Sequence, residues 1–239
     1  MLTDLADVAR AAGLTVVETP GWRTRGHGDG MGPGRPRSVT VHHTGGAATG
    51  DAPSLAVVRD GRPDLAGPLA HFLIARSGTV HVVAAGLCWH TGATREPWQG
   101  NSYAIGLECE HTGRVEDPWP PVQLDAMTRL CRALCSHYDV PHARVLAHRE
   151  ICAPQGRKTD PVGIDMRAFR AALHREEITL PSAEDIAAAV WARTVENFNG
   201  DTVRADQVLV ATEQRVDALQ SALAELRVDL GLPPSGRKL

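Results

Sequence analysis

Along "SVTVHH", residues 38–43, polarity alternates: Val39 and Val41 fall on one face of an extended chain, and Ser38, Thr40 and His42 on the other. The same period returns in "YAIGLECE", residues 103–110, where Ile105, Leu107 and Cys109 oppose Ala104, Gly106, Glu108 and Glu110. The first set is apolar and belongs in a core. The second is small and acidic, and suits the floor of a site. Between these strands "LAHFLIA" and "TVHVVAA" flank "RSG", which predicts a β-hairpin. "LTVVE" predicts an earlier strand, and "ARVLAH" a later one that ends at His148.

Helical spacing takes over between Val122 and Tyr138, where Leu124, Met127, Cys131, Leu134 and Tyr138 recur at steps of three and four. That stripe predicts a core-packed helix with Cys131 buried on it. Residues 2–12 predict a short amphipathic helix, and "GIDMRAFRAALH" a closing one whose Ile164, Phe169 and Leu173 face the sheet. Strands and helices alternating in this way define an α/β domain over about 37–175.

Two segments lie outside it. Residues 1–36 hold the first helix and strand and enter "TPGWRTRGHGDGMGPGRPR" (19–37), too rich in Gly and Pro for regular structure; it either lies across a cleft or connects to the main domain. After "REEITLPSAED" the composition changes, with neither Gly nor Pro between Asp201 and Leu230, so 176–239 reads as a helical C-terminal extension. There Leu209, Thr212, Val216, Leu219, Leu223, Leu226 and Leu230 step alternately by three and four, an a/d seam of three heptads. Two readings stand: homo-oligomerisation through a coiled coil over 203–230, or a hairpin with a helix over 184–197 docked on the main domain.

Charge and composition narrow the partners. Charged residues make up 22% of the chain with a net charge of −3, and no Lys/Arg cluster interleaves with aromatics, so nucleic acid is not an expected partner. No apolar run reaches the roughly 18 residues of a membrane helix, and membrane insertion is not expected. The start, "MLTDLADVARAAGLTVVE", has no basic stretch followed by an apolar one, so synthesis in the cytoplasm without a signal peptide is expected. The five cysteines show no C-x-x-C spacing and read as reduced core residues.

The chemistry concentrates in "AHREICAPQGRKTDP", residues 147–161. His42 and His148 each end a strand, where ligands from distant parts of a chain can converge at one sheet edge. A third ligand could be Cys152, separated from His148 by three residues in a zinc-finger-like spacing but without a second Cys pair, or Asp160. Two imidazoles and a carboxylate would leave an open position, the pattern of hydrolytic zinc. Lys158 would then set an ammonium beside the metal; alternatively "GRKTDP" is a solvated surface turn.

Taken in order, "VTVHHTGG", "HFLIARSGTV", "WHTG", "NSYAIGLECE" and "AHREICAPQGRKTDPVG" resemble the zinc-dependent N-acetylmuramoyl-L-alanine amidases, over about residues 37–165. That family includes phage endolysins, cell-wall recycling amidases and peptidoglycan recognition proteins. The resemblance implies a mixed central β-sheet flanked by helices and a Zn2+ cleft that holds the glycan–peptide junction of peptidoglycan. It implies His42, His148 and Asp160 as metal ligands, Glu108 as general acid/base and Lys158 as oxyanion partner. His90, with His43 and Thr44, is expected on the substrate side. Several phage members carry a tyrosine just before the "HF" of the hairpin; here that position is Ala70, which leaves the proton chemistry to Glu108. The implied activity is peptidoglycan amide hydrolysis of the endolysin branch, acting at the cell wall after release through a holin. A non-catalytic peptidoglycan-binding module and a recycling amidase acting on soluble muropeptides are the alternatives.

Overall fold

In a computed structural model, the structure describes residues 1–28, 30–174, 194–196 and 202–229, with side chains of the last segment described over 213–226. The chain divides into two units, Met1–Glu176 and Glu177–Leu239.

The first unit is a six-stranded mixed sheet with strand order β1-β6-β5-β7-β2-β8. Its strands are β1 (Val16–Glu18), β2 (Ser38–His43), β5 (Phe72–Ile74), β6 (Val80–Val82), β7 (Ala104–Cys109) and β8 (Val145–Ala147). Only the β5–β6 hairpin is antiparallel; the other neighbours run parallel. A small separate hairpin, β3 (Gly61–Arg62) with β4 (Leu65–Ala66), follows helix α2 (Leu55–Asp60).

One face of the sheet is covered by α1 (Leu5–Ala11), α3 (Pro121–Tyr138) and α5 (Met166–Leu173). The alternation read from the sequence decides which side chains go there: Val39 and Val41 of β2 and Ile105, Leu107 and Cys109 of β7 all enter the main core with Met127, Leu130, Cys131 and Leu134 of α3. Phe169 and Leu173 of α5 close it from the C-terminal end. All five cysteines are buried and unpaired. Asp165 starts α5 by accepting hydrogen bonds from the Arg167 and Ala168 backbone N–H groups at 2.8 and 3.1 Å.

Residues 1–36 share this core and sheet. Leu5, Ala6, Val8, Ala9 and Trp22 are buried in the main cluster, and β1 pairs with β6. The Gly-rich stretch packs closely along the fold: a Cβ on Gly26 would come within 2.5 Å of the Gly86 backbone, so only glycine allows that approach. His27 then stacks on Trp89, with ring centroids 4.7 Å apart.

In the second unit, β9 (Thr194–Glu196) and β10 (Thr202–Arg204) form an antiparallel pair followed by α6 (Ala205–Asp229). The helix expected over 184–197 lies outside the described residues except at 194–196, and those three form a strand instead. β-Branched Thr194, Val195, Thr202 and Val203 favour extended structure over helix. Among the described residues no helix is long and apolar enough to cross a membrane.

Candidate metal centre and active-site cleft

The face of the sheet opposite α3 carries the other half of the alternation. His42 of β2 lies in register with Glu108 of β7, and Glu108 in turn with Leu73 of β5. Neighbouring strands are about 4.8 Å apart, so a ring nitrogen and a carboxylate stand side by side at one level of the sheet.

β8 delivers the second histidine. It ends at Ala147, and His148 opens a single helical turn, α4 (His148–Ile151). Glu150 holds that turn in place: it accepts from the Ala147 backbone N–H at 2.8 Å and pairs with Arg170 of α5 at 2.9 Å. Arg149 ties in the third element, its backbone N–H donating to the Asp160 carbonyl at 3.0 Å and its guanidinium to the Pro161 and Ile164 carbonyls. Asp160 is thereby folded back over β2.

The result is a tight triangle. His42 Nδ1 lies 2.9 Å from Asp160 Oδ2 and 3.0 Å from His148 Nδ1, and the latter pair are 3.1 Å apart. All three residues are buried, and they are the one group of this kind among the described residues with geometry for a metal ion. Their other contacts fix which atoms carry protons. His148 Nε2–H donates to the Thr91 carbonyl at 2.8 Å, which leaves Nδ1 bare. His90 Nε2–H donates to the Ala104 carbonyl at 3.1 Å, so its Nδ1 must accept, from His42 Nε2–H at 3.1 Å. His42 Nδ1 is therefore bare as well. Two imidazole lone pairs and a carboxylate oxygen converge with no proton assigned between them, an arrangement that a divalent cation satisfies. Burial pulls the His42 pKa down to about 4, so protons do not compete for this ligand at neutral pH.

The loop that supplies these outer contacts is itself organised by Asn101, whose side-chain oxygen accepts from the His90 and Thr91 backbone N–H groups, each at 2.9 Å. Arg157 reinforces it by donating to the Thr91 and Ala93 carbonyls at 3.0 and 2.8 Å. "WHTG" and the Asn of "NSYAIG" are thus one hydrogen-bonded unit.

Glu108 is half-buried on the cleft floor, and its Oε2 is shielded from solvent without a hydrogen-bond partner. Burial first, and then the negative charge of Asp160, push its carboxyl well above the usual carboxylate range. A partly buried carboxyl with an unused oxygen beside a candidate cation site is the configuration expected of a general base, since a bound cation would draw its pKa back down. Glu110, two residues on, is differently employed: it accepts from the Ser54 backbone and hydroxyl and from the Thr44 hydroxyl, clamping the loop after β2.

The cleft encloses about 330 Å³ and is lined by Lys158, half-buried, together with His43, Thr44, Arg62, Leu65 and Trp89 among others. It continues past Arg157 into a second lobe of about 250 Å³ above Thr91, Gly92 and Asn101. His90 touches both lobes, yet both its ring nitrogens are engaged within the protein, which assigns it to orienting His42. His43 accepts from the Val162 backbone N–H at 3.2 Å, and Thr44 bonds Glu110. Ala70 is buried beneath α2, and no tyrosine lines either lobe. Arg62 and Leu65 lie outside every motif, and Trp89 and Arg157 lie within "WHTG" and "GRKTDP" but drew no role of their own. The only cue was Trp89, a large aromatic at a Gly-flanked loop, where it remains 39% exposed.

Gly106 has a specific role here. A Cβ at this position would lie 2.7–2.8 Å from the ring atoms of His90, which is buried and cannot move aside. Gly106→Ala is expected to displace His90, free the His42 tautomer and weaken metal affinity about 10- to 100-fold. Competition against a chelator of known affinity measures it; an unchanged affinity would remove His90 from the metal centre.

Buried histidines also set a pH dependence of stability. His71, just before β5, is pulled down to about 3 by burial, and His42 to about 4. In the unfolded chain both return toward 6.5, so between these values the unfolded state binds more protons. Their stabilisation is complete above about pH 6.5 and is lost as pH falls from there toward 4. At pH 5 the loss is about 2 kcal/mol for His71 alone. Thermal unfolding of the metal-free protein should show a lower midpoint at pH 5 than at pH 7.5; equal midpoints would contradict the burial of neutral imidazoles.

This sheet-borne cleft, with a His–His–Asp triangle that could hold a metal ion beside a half-buried carboxyl, has the make-up of a hydrolase site. The family model described as N-acetylmuramoyl-L-alanine amidase matches residues 32–163, more than half of the chain. The chain belongs to that family and is an N-acetylmuramoyl-L-alanine amidase. Solved structures share the fold. An endolysin amidase from Clostridium intestinale is 16% identical, covering 68% of this chain and 97% of its own, with a TM-score of 0.50. A mutant endolysin from Bacillus subtilis is 20% identical over 67% of this chain and 99% of its own, also at 0.50. A selenomethionine derivative of AmpD is 24% identical over 66% of this chain and 93% of its own, at 0.49. No curated protein matches the chain.

Proposed function

We propose that the protein is a peptidoglycan hydrolase of the endolysin type, which cuts the amide joining the lactyl group of N-acetylmuramic acid to L-alanine, with Zn2+ held by His42, His148 and Asp160. The observation that carries this reading is the triangle of bare donor atoms in register with Glu108 on one cleft floor. Zinc suits a site of two imidazoles and one carboxylate, and when bound it supplies Lewis acidity toward the amide carbonyl and lowers the pKa of a water.

The chain's own residues do the rest. Glu108, through its unpartnered Oε2, takes the proton from the attacking water and returns it to the amine nitrogen as the C–N bond breaks. Lys158, at the cleft wall, stabilises the negative charge that develops on the carbonyl oxygen, a preorganised contact of about 3–4 kcal/mol in comparable sites. His90 and Thr91 hold the two ligand histidines in the required tautomer. The two lobes give room for a glycan arm and a peptide arm on either side of the scissile bond, with Trp89 as a face against which a sugar ring can stack.

The endolysin assignment, in preference to recycling of soluble fragments, rests on the added unit Glu177–Leu239 beyond the region matched by the family. Turnover on intact cell walls is compared with turnover on soluble anhydro-muropeptides. The proposal expects the intact wall to be the better substrate; cleavage confined to soluble fragments would assign the protein to recycling.

A further inference from the structure

Helix α6 carries a stripe that no other described residue of its own unit covers. Val216, Leu219, Leu223 and Leu226 are 45%, 70%, 60% and 60% exposed, and their steps of three, four and three keep them on one side of the helix. Four large apolar side chains left in water on one helix face call for a partner with a matching seam.

We propose that the partner is α6 of a second copy of this chain, paired antiparallel and centred on residue 221. The charges beside the seam select this arrangement. When Val216 is layered on the second copy's Leu226, and Leu219 on its Leu223, the flanking heptad positions become neighbours across the interface. The sequence then sets Arg215 against the second copy's Asp229 and Glu213 against its Arg227, and the two-fold axis repeats each pair. Opposite charges meet at all four contacts. The positions that must face themselves across the axis are Gln220 and Ala222, both uncharged. A parallel pairing offers none of this: there Arg215 would face Gln220, and Ala222 would face Arg227. Within one helix Arg215 and Asp229 lie fourteen residues apart, about 21 Å, too far to pair with each other.

The dimer goes beyond the proposed function and does not depend on it, because the readout is mass. One consequence does rest on that reading: on a polymer with repeated cleavable bonds, paired clefts gain from effective concentration.

Sedimentation equilibrium of the full chain tests the proposal. A concentration-dependent species of twice the 25.6 kDa chain mass is expected. Leu219→Asp with Leu223→Asp, at exposed positions where folding is unaffected, should yield monomer. Arg215→Asp alone and Asp229→Arg alone should each weaken association about five- to thirty-fold, and the two together should restore it. In a parallel dimer these residues would be about 21 Å apart, beyond the screening length of about 8 Å, and no rescue would occur. A chain that stays monomeric, a dimer that survives the two Asp substitutions, or single-variant losses without rescue would each overturn the proposal.

Discussion

Glu108→Gln is expected to lower turnover about 10²- to 10⁴-fold while zinc binding and folding persist. The substitution keeps the size and polarity of the side chain and removes only its capacity to take a proton. Glu108 already sits half-buried with Oε2 shielded and unpartnered, and desolvation favours its uncharged form, so the neutral amide fits the same space without a new desolvation cost. The loss should fall on kcat with little change in KM, because the proton transfer occurs only on the way to the transition state. Zinc content measured alongside separates this outcome from damage to the metal centre. Activity within a few-fold of the parent would move the general base to another residue.

Asp160→Ala is expected to abolish both zinc binding and turnover. The three donor atoms lie within 3.1 Å of one another, and Asp160 supplies the only negative charge in the triangle. Without it two neutral imidazoles remain, short of the three protein ligands of catalytic zinc sites. Loss of the Lewis acid removes several kcal/mol of transition-state stabilisation, about a thousand-fold or more in rate. Backbone contacts of this segment, such as the Arg149 N–H to the Asp160 carbonyl, do not involve the side chain and should survive. The parent should gain thermal stability when zinc is added, and the variant should not. Retained zinc-dependent stabilisation together with retained turnover would reject Asp160 as a ligand.

The two effects differ in kind, and the fold explains why. His42, His148 and Asp160 come from β2, the turn after β8 and the loop beyond it, and act as one unit whose members cannot substitute for each other. Glu108 stands on the adjacent strand and, in the proposed mechanism, touches the reaction only through its proton.

Much of this was legible in the chain because strand alternation is strict. Once Val39, Val41, Ile105 and Leu107 are assigned to the core, His42 and Glu108 must share the opposite face. That they stand in register is a matter of pairing between strands some sixty residues apart, which no local period encodes. The choice between Cys152 and Asp160 was likewise open from spacing alone. The structure buries Cys152 beside the Arg149 carbonyl, outside the triangle, because α4 turns the chain away from it.

The supporting contacts were least legible. His90 looked like a substrate-side histidine, and only the path from Ala104 through His90 to His42 reveals its part in fixing a tautomer. Asn101 and Arg157 act through backbone carbonyls and amides of a distant loop, contacts that leave no periodic trace. The cleft walls at Arg62 and Leu65 come from a two-residue strand pair too short to give a pattern. In the C-terminal unit, the apolar stripe of α6 was plain, whereas the β9–β10 pair before it comes from two strands of three residues, too short to give a period.

Digestion of purified peptidoglycan by the zinc-loaded protein tests the central claim most directly, with new L-alanine amino termini and new reducing sugar ends counted in the same sample. The account predicts amino termini that rise with time and no reducing ends. Reducing ends without amino termini would place the cut in the glycan strand and contradict it.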